Sequence, residues 1–176
     1  MSKNKEIKTN AMRILDGMKI EYEAKTYECK DFVDGLQIAD LLGLPHDIVY
    51  KTLVAQGASR QYYVYVIPVE SELDLKKAAK SVGEKSVSML HVKDINAVTG
   101  YIRGGCTAIG MKKQYVTRID NSARELEQMV VSRSLGDSRR IAFFRLMPVA
   151  AQNWSRNAPL SFLSVNSPYR RRDRRT

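Results

Sequence analysis

At 176 residues and 44% apolar composition, the chain is long enough to bury the core of one domain without disulfides. No apolar run approaches the roughly 18 residues of a membrane span, and the opening "MSKNKEIKTN" lacks the apolar stretch of a secretory signal, so a cytoplasmic protein without a membrane anchor is expected. The net charge of +10 points to an anionic partner, and it is concentrated: residues 1–131 carry 19 Lys and Arg against 17 Asp and Glu, residues 132–176 carry 10 against 2.

The first segment, "EIKTNAMRILDGMKI", sets Ile7, Ala11, Ile14, Leu15 and Met18 at helical spacing and predicts an amphipathic helix. "EYEAKTYEC" alternates as a strand. "DGLQIADLLGLP" predicts a short helix with Asp34 as N-cap and Gly43 and Pro45 as stop signals. "VYKTLVAQG" and "QYYVYVIPVE" read as strands joined by a turn at Gly57 and Ser59, which predicts a hairpin. "ELDLKKAAKSVG" predicts a helix capped by Asp74 and ended by Gly83, "VSML" a short strand, and "VKDINAVTG" a helix ending at Gly100. "QYVTRID" and "MVVS" predict strands around a helix over "SARELEQ", capped by Asp120 or Asn121. Short strands and helices without a strict βαβ rhythm favour one mixed α/β (α+β) domain on a curved mixed sheet over a doubly wound nucleotide fold.

Lys51 stands out within its strand. Side chains alternate with period two, so Val49, Lys51, Leu53 and Ala55 share one face, and Tyr50, Thr52 and Val54 the other. A lysine in an apolar row either lays its stem on hydrophobic surface with its ammonium in water, or plants a cation in a pocket to meet an anion or a developing oxyanion. The strand alone leaves both open.

"TGYIRGGCTAIGMKK", residues 99–113, holds four glycines in eleven residues followed by Lys112 and Lys113. Glycine permits positive φ and close backbone approach, so Gly104 and Gly105 are candidates to aim amides at a carbonyl or phosphate oxygen. The order matches neither the P-loop nor the dinucleotide fingerprint. Cys106 has no base near it in sequence and reads as a small core residue rather than a nucleophile. Cys29 and Cys106 form no disulfide framework, and neither has His at ligand spacing, so no metal or other cofactor is expected. His46 and His91 read as surface or turn histidines.

The composition changes at residue 132. The first 131 residues use 14 Lys and 5 Arg, the last 45 use 10 Arg and no Lys. Two explanations stand for residues 132–176: a shifted reading frame in the gene, or a basic extension that grips a phosphate backbone.

In this order, "KTYEC", "VYKTLV", "LDLKKAAKSVG" and "TGYIRGGCTAIGMKK" resemble the YbaK/EbsC family of aminoacyl-tRNA deacylases, which clear cysteine mischarged on proline tRNA. The resemblance covers roughly residues 5–132 and implies a single compact domain, bounded at 1–131, around a curved, barrel-like mixed sheet related to the editing domain inserted in some prolyl-tRNA synthetases. It makes the divergent residues 132–176 a partial replacement of the family's last strand and helix. It implies that Lys51, Gly104 and Gly105 carry the catalysis, with Tyr27, Thr52 and Ser132 binding substrate; the charge of Lys112 and Lys113 adds them as substrate-binding candidates at a phosphate. "GGCTAIG" has Thr107 and Ala108 where the family usually has Ser-Pro, and "VSRSLGDSRR" departs from the family's VSGGxRG. The implied partners are tRNA(Pro) charged with cysteine and prolyl-tRNA synthetase, with no DNA and no membrane. The implied reaction is ester cleavage assisted by the substrate's own thiol. Alternatives are an Ala-tRNA(Pro) deacylase using water, or a noncatalytic RNA-binding module.

Overall fold

The computed structural model describes residues 10–28, 34–134, 140–146, 160–162 and 169–170, with side chains for 10–25 and 34–132. Helix α1 (Asn10–Gly17) buries Ala11 and Leu15, two of the positions picked by helical spacing; Ile7 and Cys29 lie outside the described residues. Strand β1 spans Tyr22–Glu28. Helix α2 (Gly35–Leu41) starts in a capping box: Asp34 Oδ1 accepts the Gln37 N–H at 2.9 Å, and Gln37 Oε1 accepts the Asp34 N–H at 3.3 Å. A 3-10 turn (His46–Ile48) leads into β2 (Val49–Gly57), which forms the expected hairpin with β3 (Tyr62–Pro68), registered from Tyr50 opposite Pro68 to Gln56 opposite Tyr62.

Strand β4 (Glu72–Leu73) precedes α3 (Leu75–Ser81), where Asp74 Oδ1 accepts the Lys76 and Lys77 N–H groups at 3.1 Å each. Strand β5 (Val87–Met89) is followed by α4 (Val92–Thr99), which stops at Gly100 with φ +82°. After β6 (Val116–Ile119), "SARELEQ" forms a 3-10 turn, Asn121–Glu125, in place of the expected α-helix. Asp120 caps it through the Ser122 N–H, and the Leu126 N–H already bonds Ala123. The chain closes with β7 (Met129–Ser134), β8 (Arg140–Leu146), β9 (Leu160–Phe162) and β10 (Tyr169–Arg170).

Among the described residues the main sheet has eight strands, in the order β1-β8-β7-β2-β3-β6-β9, with β5 added beside β2. The expected mixed α/β architecture is present, but among the described residues the sheet is open, with β1 and β9 at its ends, so the implied barrel-like closure is corrected. Pairing is mixed. β2 runs antiparallel to β3 and β5 and parallel to β7. β8, drawn from the Arg-rich segment, lies antiparallel between β1 and β7.

Helices pack where the sheet is apolar. Ala11 and Leu15 of α1 meet Tyr50, Val66, Ile119 and Met129. Ala78 and Ala79 of α3 meet Tyr63, Tyr65 and Ile67 on β3. Ile38 and Ala39 of α2 meet Val49, Val69 and Val130. Gly35 lets α2 approach that closely, because a Cβ there would stand 2.6 Å from Val69 Cγ2. Alanine favours helices over glycine, yet at this position overpacking dominates. Gly35→Ala is expected to lower stability by about 1–3 kcal/mol in denaturant unfolding, and adding Val69→Ala should recover part of the loss.

His46 ties α2 to the turn after β3. Its Nε2 lies 2.7 Å from Asp40 Oδ1 and its Nδ1 2.7 Å from Glu70 Oε1, so only the doubly protonated ring donates to both carboxylates. The hydrogen bonds to Glu70 and then Asp40 raise its pKa above the ordinary 6.5. A group raised in the folded state stabilises below its unfolded pKa and loses that contribution as pH climbs through the folded value. The thermal midpoint is therefore expected to fall as pH rises past 6.5, and His46→Gln should flatten that slope.

Candidate active site

A cavity of about 370 Å³ opens beside β2 and is closed by the 100–113 loop, α4, the start of α2 and β7. Its polar lining includes Lys51, Thr52, Arg103, Gly104 and Ser132 over an apolar floor that includes Val54, Val69 and Ile95. Lys51 is half-buried. Its position follows from the packing of β2. On its face, Val49 belongs to the cluster under α2, whereas Leu53 and Ala55 belong to the cluster under α3. On the opposite face Tyr50 packs under α1 and Val54 against Tyr101 and Cys106. Lys51 and Thr52 therefore sit on the seams between apolar clusters, one per face, which is where a polar side chain can meet a cavity.

The 100–113 loop is held by one hydrogen bond within it and one that joins its flanks. The Tyr101 hydroxyl donates to the Ile109 carbonyl at 2.6 Å, and the Tyr115 hydroxyl to the Val98 carbonyl at 2.8 Å. Gly104 adopts φ +82°, a conformation that only glycine takes without strain. Ser132 reaches the loop from β7: its Oγ donates to the Gly104 carbonyl at 3.1 Å. The structure thus brings Lys51, Thr52, Gly104 and Ser132 to one cavity.

Other expected members are placed differently. The Gly105 N–H donates to the Ile102 carbonyl at 3.2 Å, and Gly105 is buried off the cavity, so the two glycine amides are not presented as a donor pair. Lys112 turns away. Its Nζ donates to the Asn96 carbonyl at 3.0 Å, the end of α4 where a cation meets the helix dipole, and its stem covers Gly100. Lys113 is exposed and also off the cavity. Tyr27 lies in β1 opposite Ile141, with its side chain outside the described residues. Arg103 lines the cavity without having been singled out in the sequence, and Asp34, expected only as an N-cap, lines it too. The signals were Arg103's place immediately before the double glycine and Asp34's place at a helix start beside a glycine.

The cavity therefore carries two cationic side chains, Lys51 and Arg103, with the Asp34 carboxylate at the start of α2. Such a site suits an anionic or ester-bearing ligand. Among the described residues no group of three or more His, Cys, Asp or Glu side chains is arranged to hold a metal, and no helix is long and apolar enough to cross a membrane.

The family model of the aminoacyl-tRNA editing domain matches residues 33–137, which include every one of these cavity residues. The chain belongs to this family. It is 46% identical over 136 residues to an Enterococcus faecalis protein, EbsC, named as a Cys-tRNA(Pro)/Cys-tRNA(Cys) deacylase, and the match covers 75% of this chain and 82% of the relative. Among solved structures, the editing-domain fold matches hypothetical protein APE2540 with TM-score 0.66 and 17% identity, over 77% of this chain and 88% of that one. It also matches a protein described as a trans-editing enzyme for prolyl tRNA synthetase, with TM-score 0.61 and 19% identity over 79% and 87% of the two chains.

In this editing domain Cys106 lines the cavity but is poorly suited to attack. Burial pushes its thiol up to about 12 from an ordinary 9.0, against a smaller opposing effect of a hydrogen bond with Thr99. At pH 8 it is overwhelmingly the thiol. In a Cys29→Ser background, alkylation of Cys106 by iodoacetamide is expected to run roughly a thousandfold slower than that of an exposed cysteine. A rate within tenfold of free cysteine contradicts the burial argument.

Proposed function

We propose that this editing-domain protein deacylates Cys-tRNA(Pro), with the cysteinyl thiol of the substrate as nucleophile. The observation that carries the reading is Lys51, a half-buried cation on the seam of β2 in a cavity that also holds Arg103 and Gly104. The kinship with EbsC supports the substrate class. The high pKa of Cys106 supports a nucleophile supplied from outside the protein.

In the proposed step the thiol sulfur bonds to its own ester carbonyl carbon, and the ester C–O bond breaks. The thiol proton passes to the departing ribose oxygen, and the thiolactone produced is opened by water to free cysteine. The protein contributes orientation and charge stabilisation. Lys51 offsets the charge on the leaving ribose oxygen, and Arg103 engages the adjoining phosphate. Proline is spared because it has no thiol, a stronger distinction than pocket size, which alone separates close analogues by about 10- to 200-fold.

Mixing the protein with cysteinyl-tRNA(Pro) and following ester loss tests the reading directly, and absence of cleavage refutes it. Lys51→Ala is expected to lower kcat/KM by roughly 100- to 1,000-fold, as for loss of one charge-stabilising group, while the thermal midpoint stays within a few degrees. A seryl-tRNA(Pro) substrate should be cleaved far more slowly, and equal rates would point to water as nucleophile and to the alanyl-tRNA alternative.

A further inference from the structure

Strand β2 has one complete edge and one broken edge. Along β3 it is paired from Tyr50 to Gln56. On the other side, β7 pairs only with Val49 and Tyr50, and β5 only with Ala55, Gln56 and Gly57. Among the described residues, 51–53 face a gap between the two neighbours.

Backbone directions follow from the hydrogen bonds around the gap. The Val49 carbonyl accepts the Val69 N–H at 2.8 Å, and the Gly57 N–H donates to the Gln61 carbonyl at 2.8 Å, so odd-numbered residues aim their backbone groups at the β3 side. The Val54 carbonyl accepts the Leu90 N–H at 2.9 Å, so even-numbered residues aim at the other side. Thr52 is the even residue within the gap. Its N–H and C=O both point out of the broken edge, and among the described residues neither has a strand partner there. The cavity lies on this edge, since the six consecutive residues Val49 to Val54 all line it, and one face of a strand would contribute only every second residue.

We propose that the broken edge reads the backbone of the aminoacyl group: Thr52 pairs with it as one antiparallel strand residue pairs with another. This rests on the deacylase reading above. An aminoacyl ester has an α-ammonium donor and a carbonyl acceptor flanking one α-carbon, the same array that an extended residue presents to an open strand edge. The ammonium donates to the Thr52 carbonyl, and the ester carbonyl accepts the Thr52 N–H. That N–H becomes the donor to the developing oxyanion, a role the Gly105 amide does not fill because it bonds the Ile102 carbonyl. The antiparallel sense places the ester oxygen toward the β7 end of the gap, level with Lys51 and near Ser132 and Gly104. It places the ammonium toward Val54 and Leu90.

The test compares Thr52→Val, which removes only the hydroxyl, with Thr52→Pro, which removes the outward N–H without breaking a bond to β3. On cysteinyl-tRNA(Pro), Thr52→Val reports what the hydroxyl contributes, and Thr52→Pro is expected to be roughly 100-fold slower than Thr52→Val, the usual effect of losing one oxyanion donor. The 3-mercaptopropionyl ester of tRNA(Pro), which keeps the thiol and lacks the α-ammonium, should be cleaved at least roughly tenfold more slowly by wild type, with a smaller further penalty in Thr52→Pro because the two contacts act together. If Thr52→Pro does not fold, replacing the amide at 52 by an ester through semisynthesis removes the same N–H with the side chain intact, and the same loss is expected. A folded variant lacking this N–H that matches Thr52→Val, or undiminished cleavage of the deaminated ester, overturns the proposal. Wild type inactive on cysteinyl-tRNA(Pro) sinks the deacylase reading itself, whereas active wild type with an indifferent Thr52 N–H sinks only the edge pairing.

Discussion

Among the described residues, one edge of β2 is shared by two strands that do not meet. β7 arrives parallel and covers the first two residues, and β5 arrives antiparallel and covers the last three. A mid-sheet strand with an uncovered stretch carries a cost, because backbone N–H and C=O groups removed from water without partners destabilise the fold by roughly 1–3 kcal/mol each. A cavity at the gap relieves that cost by keeping the edge reachable by water or by a ligand with matching groups. The pocket and the break in pairing are the same feature seen from two directions.

Holding such a gap open requires rigid borders. On one face of β2, the Tyr50 hydroxyl shares a 2.6 Å hydrogen bond with Ser122 Oγ, which also lies 2.6 Å from Asp120 Oδ1. Asp120 is fully buried, so the network fixes the start of β2 against the 3-10 turn after β6. At the other border, Leu90 pins the end of β5 to Val54, and α4 follows directly. Ser132 bridges the glycine loop to β7. Each border is a hydrogen bond between segments far apart in sequence, which suits a site whose parts must already be in place when substrate arrives.

Local chemistry in the sequence was enough to locate most elements. Asp34 and Asp74 announce their helices because a side chain that accepts orphan amides is a local device. The hairpin shows in two alternating runs around a Gly-Ser turn. The unusual status of Lys51 was also legible, since a charge in an apolar row breaks the period of the strand. What stayed hidden is non-local. Nothing near Lys112 marks its ammonium as bound for Asn96, and the sharing of the β2 edge depends on β5 and β7, some thirty and eighty residues downstream. The additional strands β8 and β9 escaped for the same reason: they exist through their partners.

The pairing of β8 changes how the basic C-terminal segment must be viewed. Its charge invites treatment as a detachable arm, separable from a nearly neutral body. Yet β8, within that segment, is the strand through which β1 joins the sheet, with Tyr22 opposite Leu146 and Met129 opposite the same residue from the other side. Removing everything after residue 136 would take away nine arginines and sheet pairing together, so any loss of tRNA affinity would have two explanations. Neutralising Arg171, Arg172, Arg174 and Arg175 to glutamine leaves every strand from β1 to β9 untouched and removes four positive charges. Contacts to phosphate release counterions, so charge that grips the backbone shows in the slope of affinity against salt, whereas a structural role shows in the unfolding midpoint. Fold and charge in this segment can be told apart only by substitution, because the sequence that carries the arginines also carries the strand.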